Sequence, residues 1–129
     1  MTTTTTTTTV PTHRDALRSA WTAELSAAKQ ARSRGDADAE WAHLERAHIV
    51  SQPLAVPHVR THLVMLAAGL RRHDRHEVLG QVLRVVVAAP GSWTGRYPRG
   101  NTGGADVSAL RPMPVPDDLR ELLEADGAS

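Results

Sequence analysis

The sequence contains no cysteine and no phenylalanine, and it has one tyrosine and one lysine. The absence of cysteine excludes disulfides, zinc fingers, thiolate-held iron–sulfur clusters and any thiol nucleophile. The 15 basic and 14 acidic residues nearly cancel, so the charge balance gives no indication of nucleic acid or an anionic membrane as a partner. The apolar residues are mainly alanine, leucine and valine. Together with many arginines and glutamates, they favour helices.

Long apolar stretches are also missing. Apolar runs such as Val85 to Pro90 are far shorter than a membrane-spanning helix, which needs roughly 20 apolar residues. Met1 is followed by eight threonines, without the basic start and apolar stretch of a signal peptide. Such a polar repeat buries too little surface to offset its ordering entropy, so residues 1–11 are predicted to be a disordered tail. Residues 126–129 are predicted to be a short C-terminal tail. We expect a cytoplasmic protein with no transmembrane span.

Local signals predict a single helical domain over residues 12–125. Thr12 and Asp15 have the spacing of a capping box and open the first helix. The predicted helices are 12–34, 38–52, 58–72, 74–90 and 117–124. The segment 91–116 is rich in glycine and proline and has no convincing period, so it is predicted to be a loop that covers the helix ends.

The helix order predicts an all-α fold of two antiparallel helical hairpins. Gly35-Asp36 and His73-Asp74 open similar segments, each of which ends in a proline. Two helix–turn–helix units of this length are typical of tetratricopeptide-like or bundle architectures. The long loop and a short C-terminal helix complete the prediction.

Ionisable side chains interrupt the apolar faces of three successive predicted helices. Glu24 lies in the apolar stripe of the first helix, and Glu45 and His48 lie together on the second. His58 and His62 are one helical turn apart on the third. Burying such groups without partners is costly, so they must hydrogen-bond, form ion pairs or bind a cation.

Helix geometry predicts that these groups converge. With a rise of about 1.5 Å per residue, His48 lies about 6 Å before the end of its helix, and His58 and His62 lie about 1 and 8 Å into the next one. A connection of about four residues predicts antiparallel packing with axes roughly 8–10 Å apart. His-x-x-x-His is a metal-ligand spacing, and Glu-x-x-His is a half-site of carboxylate-bridged bundles. We therefore predict a metal site at Glu45, His48, His58 and His62, with Glu24 as a ligand or as a hydrogen-bond partner of a ligand.

The donor types suit zinc, copper(II), iron(II) or nickel. The glycine-rich segment that carries Asn101 and Asp106 is predicted to pack over the open side of His48 and His62, because glycine permits a close approach. A three-ligand site would permit metal-dependent chemistry, whereas a closed site would mean metal storage or delivery. These alternatives stay open, and with them whether the protein is an enzyme.

A second hypothesis comes from a different class of protein. It is a helical-hairpin interaction module that binds a protein partner and holds a buried network of histidines and glutamates without metal.

Four sequence blocks also carry a family resemblance. In order, they are Leu44 to Ile49, Pro57 to His62, Gly100 to Ala105 and Pro112 to Leu119. In this order they resemble the bacterial family labelled domain of unknown function 3703, over roughly Asp15 to Leu123. The resemblance implies a small protein without assigned biochemistry. Some family members lie near heavy-metal resistance genes, an association that agrees with a site of histidines and glutamates.

Overall fold

The computed structural model describes residues 9–95, 97–104 and 111–125, with the backbone alone for 85–93. Over these residues the chain forms α-helices and no strand. The helices are α1 (His13–Ser33), α2 (Ala37–Ser51), α3 (Ala55–Arg71), α4 (Arg75–Thr94) and α5 (Asp117–Glu124). The all-α fold predicted from the sequence is confirmed.

The helices pack as two hairpins that share a central contact. α1 packs against α2 and α3 packs against α4, and α2 also contacts α3. The links between these helices are short, at 34–36, 52–54 and 72–74. Short links of this kind join antiparallel neighbours. α5 lies against α1 and α2.

The hairpin turns follow from local chemistry. The Thr12 hydroxyl accepts a hydrogen bond from the Asp15 backbone N–H, and the Asp15 carboxylate accepts one from the Thr12 N–H in return, which completes the predicted capping box. Gly35 ends α1 with a φ of +73°, a left-handed conformation that glycine adopts without a Cβ penalty. The Asp36 side chain then accepts from the Ala39 N–H and opens α2.

Two apolar clusters form the core. The larger one joins α1, α2 and α5 and consists of Leu17, Trp21, Ala47, Ile49, Val50, Leu54 and Leu119. The smaller one joins α1, α2 and α3 and consists of Ala28, Leu44, Met65 and Ala68. The Trp21 indole N–H donates to the Thr61 hydroxyl at 2.8 Å. This buried bond fixes α1 against α3 beside the histidines.

Two predicted helix boundaries are wrong. α3 begins at Ala55 and not at His58, because Pro57 falls in its first turn, where the backbone N–H has no helical partner to lose. α4 continues past Pro90 to Thr94, so the loop begins after that residue and not at 91. Proline costs about 3 kcal/mol in a helix interior, which is why the sequence alone predicted an end at Pro90. None of the helices in the described part of the chain is long and apolar enough to cross a membrane.

Candidate metal centre

Three histidines meet where α2 ends and α3 begins. His48 lies in the last turn of α2, and His58 and His62 lie in the first two turns of α3. The tight link between these helices brings the two ends to the same level. All three side chains are buried, with 3%, 5% and 2% of their surface exposed in that order.

The ring nitrogens of this cluster converge. His48 Nε2 lies 3.0 Å from His58 Nε2 and 3.1 Å from His62 Nε2. The ring centroids are 4.6 to 5.0 Å apart. One nitrogen from each ring can be chosen so that all three lie within 4.8 Å of one another. Nitrogens that share a tetrahedral zinc ion at about 2.0–2.1 Å are about 3.3 Å apart, so the His48 contacts are close to the separation that a shared ion requires.

The opposite nitrogens of His48 and His62 are held by acceptors. His48 Nδ1 lies 2.7 Å from the Asn101 carbonyl oxygen, which can only accept. His62 Nδ1 lies 2.6 Å from Gln81 Oε1. Both rings therefore carry their proton on Nδ1 when they are neutral, which leaves a lone pair on each Nε2. These two lone pairs face each other with no proton between them.

The Gln81 amide orientation is itself determined by its neighbours. Its nitrogen donates to the Glu77 carboxylate and, at 2.7 Å, to the Gly103 carbonyl. Because both of these partners can only accept, the amide oxygen is the atom directed at His62. Gln81 is fully buried and Glu77 is 6% exposed. A hydrogen-bond chain from Glu77 through Gln81 thus fixes the tautomer of His62.

Burial keeps His48 and His62 uncharged. Loss of solvation lowers the pKa of His62 to about 4, with the positive charge of Arg84 acting in the same direction. Loss of solvation is also the largest cause that lowers the pKa of His48, followed by the neighbouring rings of His62 and His58. At neutral pH the two rings are therefore neutral imidazoles, which is the form that binds metal ions.

The segment 101–104 lies directly on the cluster. Gly103 has a φ of +83°, and a Cβ built there would lie 2.7 Å from Cγ and Cδ2 of the His48 ring. Only a glycine lets the backbone come so close to the imidazole. The segment is anchored by Asn101, whose side-chain amide donates to the Arg111 carbonyl at 2.7 Å and is itself buried.

Gly100 holds the same segment from the other side. Its backbone N–H donates to Gln52 Oε1 at 3.1 Å. A Cβ at this position would lie 2.0 Å from the Met113 carbonyl oxygen, so a larger residue cannot fit without moving the chain. This contact with Met113 joins the segment 101–104 to the proline-containing segment that precedes α5.

The predicted glutamate ligands lie elsewhere. Glu24 accepts hydrogen bonds from His43 Nδ1 at 2.7 Å and Arg46 Nε at 2.8 Å, so both carboxylate oxygens are already engaged. Glu45 is half-buried; burial raises the pKa of its carboxyl, and the neighbouring Trp41 side chain acts in the opposite direction. The structure thus brings together three of the five predicted ligands. Asp106 lies outside the described residues.

Sequence reasoning missed the contribution of α4. Glu77, Gln81 and Arg84 recur at intervals of four and three residues, which places them on one face of the helix. All three are buried, although the helix between them is mostly apolar. This buried polar stripe was visible in the sequence, but its direction toward His62 depends on how α4 packs on α3.

Comparison with known proteins gives one match. Residues 15–123 match the family described as "Protein of unknown function (DUF3703)". No curated protein and no solved structure matches the chain. Because the family match covers most of the chain, including all three histidines and the segment 101–104, the protein belongs to the DUF3703 family.

Proposed function

We propose that this protein binds a transition-metal ion through Nε2 of His48, His58 and His62. One observation carries the proposal: the lone pairs of His48 and His62 face each other 3.1 Å apart in a buried site. Two acceptors at this distance repel each other unless a cation lies between them. The low pKa of His62, about 4, argues against a proton in that role at neutral pH.

Hydrogen bonding around the rings supports the proposal. Metal-binding histidines usually donate their other ring N–H to a carbonyl or carboxylate, which orients the ring and raises its basicity. Asn101 supplies a carbonyl to His48, and Gln81 supplies an amide oxygen backed by Glu77 to His62. Three imidazoles suit zinc, copper(II), iron(II) and nickel, which are the metals expected from the sequence.

The second hypothesis, a metal-free interaction module, requires the buried histidine rings to share protons with one another. His58 Nε2, 3.0 Å from His48 Nε2, could place one proton between those two rings. The contact between His48 and His62 would still lack a proton. The observation that favours a partner protein is the exposure of four leucines on α3 and α4, which are Leu63, Leu70, Leu79 and Leu83. Exposed apolar side chains mark an interaction site when they form a continuous patch, and a partner bound to them is compatible with a metal centre.

Elemental analysis of protein purified without a histidine tag tests the proposal. We expect near-stoichiometric metal, or stoichiometric uptake of Zn²⁺ by protein first treated with a chelator. His48→Ala and His62→Ala should each weaken Zn²⁺ binding by at least about tenfold, because a three-ligand site cannot lose a donor without a large cost in affinity.

His43→Ala is the matched control, since His43 lies on the same helix and contacts Glu24 instead of the cluster. It should bind Zn²⁺ like the unaltered chain. Circular dichroism establishes that each variant is folded. Metal-free protein that takes up no Zn²⁺, Co²⁺ or Cu²⁺, and whose stability is the same with and without a chelator, would contradict the proposal and favour the interaction module.

A further inference from the structure

Helix α4 buries polar side chains and exposes apolar ones. Glu77, Gln81 and Arg84 are buried, whereas Leu79 and Leu83 are exposed. None of the described side chains of α4 belongs to either apolar core cluster. A helix on the surface of a folded domain normally buries its apolar stripe, so the exposed leucines of α4 indicate a partner beyond the fold of one chain.

Helix α3 continues the same apolar surface. Leu63 and Leu70 are exposed and lie seven residues apart, which places them on one face of α3. A Cβ built at Gly69 would lie 3.5 Å from the Glu77 Cβ, so these two positions are level. Because α3 and α4 are antiparallel, Leu63 is then level with Leu83. The apolar stripes of the two helices therefore run side by side.

We call this surface the outer face of the α3–α4 hairpin. It consists of six apolar side chains that are 48–71% exposed: Val56, Leu63, Leu70, Leu79, Val82 and Leu83. At these exposures the six side chains leave on the order of 600 Å² of apolar surface in water. A standard interface buries about 800 Å² per partner, and about 65% of a homodimer interface is apolar, which amounts to about 500 Å². The outer face is thus large enough for a stable dimer.

The neighbouring charges leave the outer face free for such a contact. Arg60 stacks over the Trp21 ring of α1 at 5.6 Å, and Arg71 pairs with Glu40 of α2. Arg75 is exposed at the turn between α3 and α4. Two copies of the hairpin in antiparallel orientation hold these turns at opposite ends, so that their like charges do not meet.

The composition of the terminal segments does not suit them to cover this surface. Residues 1–8 are one methionine and seven threonines, and 126–129 are aspartate, glycine, alanine and serine. Residues 104 and 111, between which 105–110 runs, lie on the histidine side of α4. A second copy of the hairpin, in contrast, carries the same two apolar stripes and completes a bundle of four helices.

We propose that the outer face of α3 and α4 is a homodimer interface, on which a second copy of this chain packs the same face in antiparallel orientation. Such an interface is isologous, so each of its residues is used twice. The inference rests on the exposed side chains and does not require a bound metal.

Sedimentation velocity of the full chain tests the inference, in the presence of a chelator so that no metal ion bridges two copies. Interfaces of this size have dissociation constants of about 1 µM or below, so at about 50 µM the chain should sediment with twice the mass of one copy. Leu70→Glu and Leu79→Glu should each raise the dissociation constant at least about 100-fold, because each places two carboxylates in one apolar interface. Both side chains are exposed in the single chain, so circular dichroism should show unchanged helix content.

Val64→Glu is the matched control. Val64 is also an exposed apolar residue of α3, but it lies on the face of Arg60, four residues earlier. This variant should remain a dimer. A chain that is monomeric at about 50 µM would overturn the inference and leave the outer face to a different protein. A dimer that withstands both leucine substitutions, or one that Val64→Glu dissociates equally well, would overturn it too, because the interface would then lie elsewhere.

Discussion

Gly103→Ala should damage both the fold and the candidate centre. The new Cβ would lie 2.7 Å from Cγ and Cδ2 of His48 and 2.9 Å from its Nε2. The left-handed conformation that Gly103 adopts is about 1–2 kcal/mol less favourable for a residue that has a Cβ. Forcing an extra carbon into a packed core adds about 1–3 kcal/mol. We expect a total loss of unfolding free energy of about 2–5 kcal/mol, because both the backbone of 103 and the His48 ring must move to make room for the new carbon.

Gly35→Ala separates the two contributions. Gly35 has a similar φ of +73°, but a Cβ there would meet nothing within 4 Å. This variant should lose only the backbone part of the free energy of unfolding, about 1–2 kcal/mol. Urea denaturation of both variants in the presence of a chelator measures the difference, provided that the m value stays constant.

Zn²⁺ affinity provides a second measurement on the same pair of variants. A displaced His48 ring should weaken Zn²⁺ binding about 10–100-fold in Gly103→Ala, the usual effect of disturbing groups that orient a ligand. Gly35→Ala should leave the affinity unchanged. Equal stability losses in the two variants, or equal Zn²⁺ affinities, would refute the view that Gly103 packs on His48 and positions it.

Three further predictions concern stability. In metal-free protein the unfolding free energy should fall as pH drops from about 6.5 to about 4, because the unfolded chain binds a proton at the ordinary His62 pKa of 6.5 while the folded chain resists it down to about 4. This group alone contributes about 3 kcal/mol, and a flat urea-denaturation profile over that range would contradict it. Trp21→Phe removes the indole bond to Thr61 and should cost about 1–2 kcal/mol with unchanged Zn²⁺ stoichiometry; loss of Zn²⁺ would show that α1 also positions the ligands. Thr12→Ala should cost about 1 kcal/mol through loss of the cap, and thermal unfolding identical to that of the unaltered chain would contradict the capping role.

The fold was largely predictable because its turns depend on local chemistry. Thr12 with Asp15, and Gly35 with Asp36, mark helix ends through hydrogen bonds within four residues of the chain. The same locality made the histidine cluster predictable. The rise per residue of a helix and the short link between α2 and α3 place His48 level with His58 and His62, independently of how the other helices pack.

The remaining features depend on packing between distant segments. Glu24 fits an apolar stripe when α1 is considered alone, but in the fold it faces His43 and Arg46 on α2. The role of Gln81 requires the register between α3 and α4, which no local signal specifies. α4 also continues through Pro90, although proline disfavours a helix interior.

The candidate centre therefore joins parts of the chain that cannot form it separately. His48 reaches Asn101 across 53 positions, and Gln81 reaches Gly103 across 22. A metal ion bound to the three rings would hold α2 against α3 directly, and through Asn101 and Gln81 it would hold the segment 101–104 and α4 as well. Binding to the folded chain alone adds stability that grows with free metal concentration. Because Gly103 packs so closely on the His48 ring that an added Cβ would lie 2.7 Å from it, the ordering of this covering segment and the proposed affinity for metal should be coupled properties of the same site.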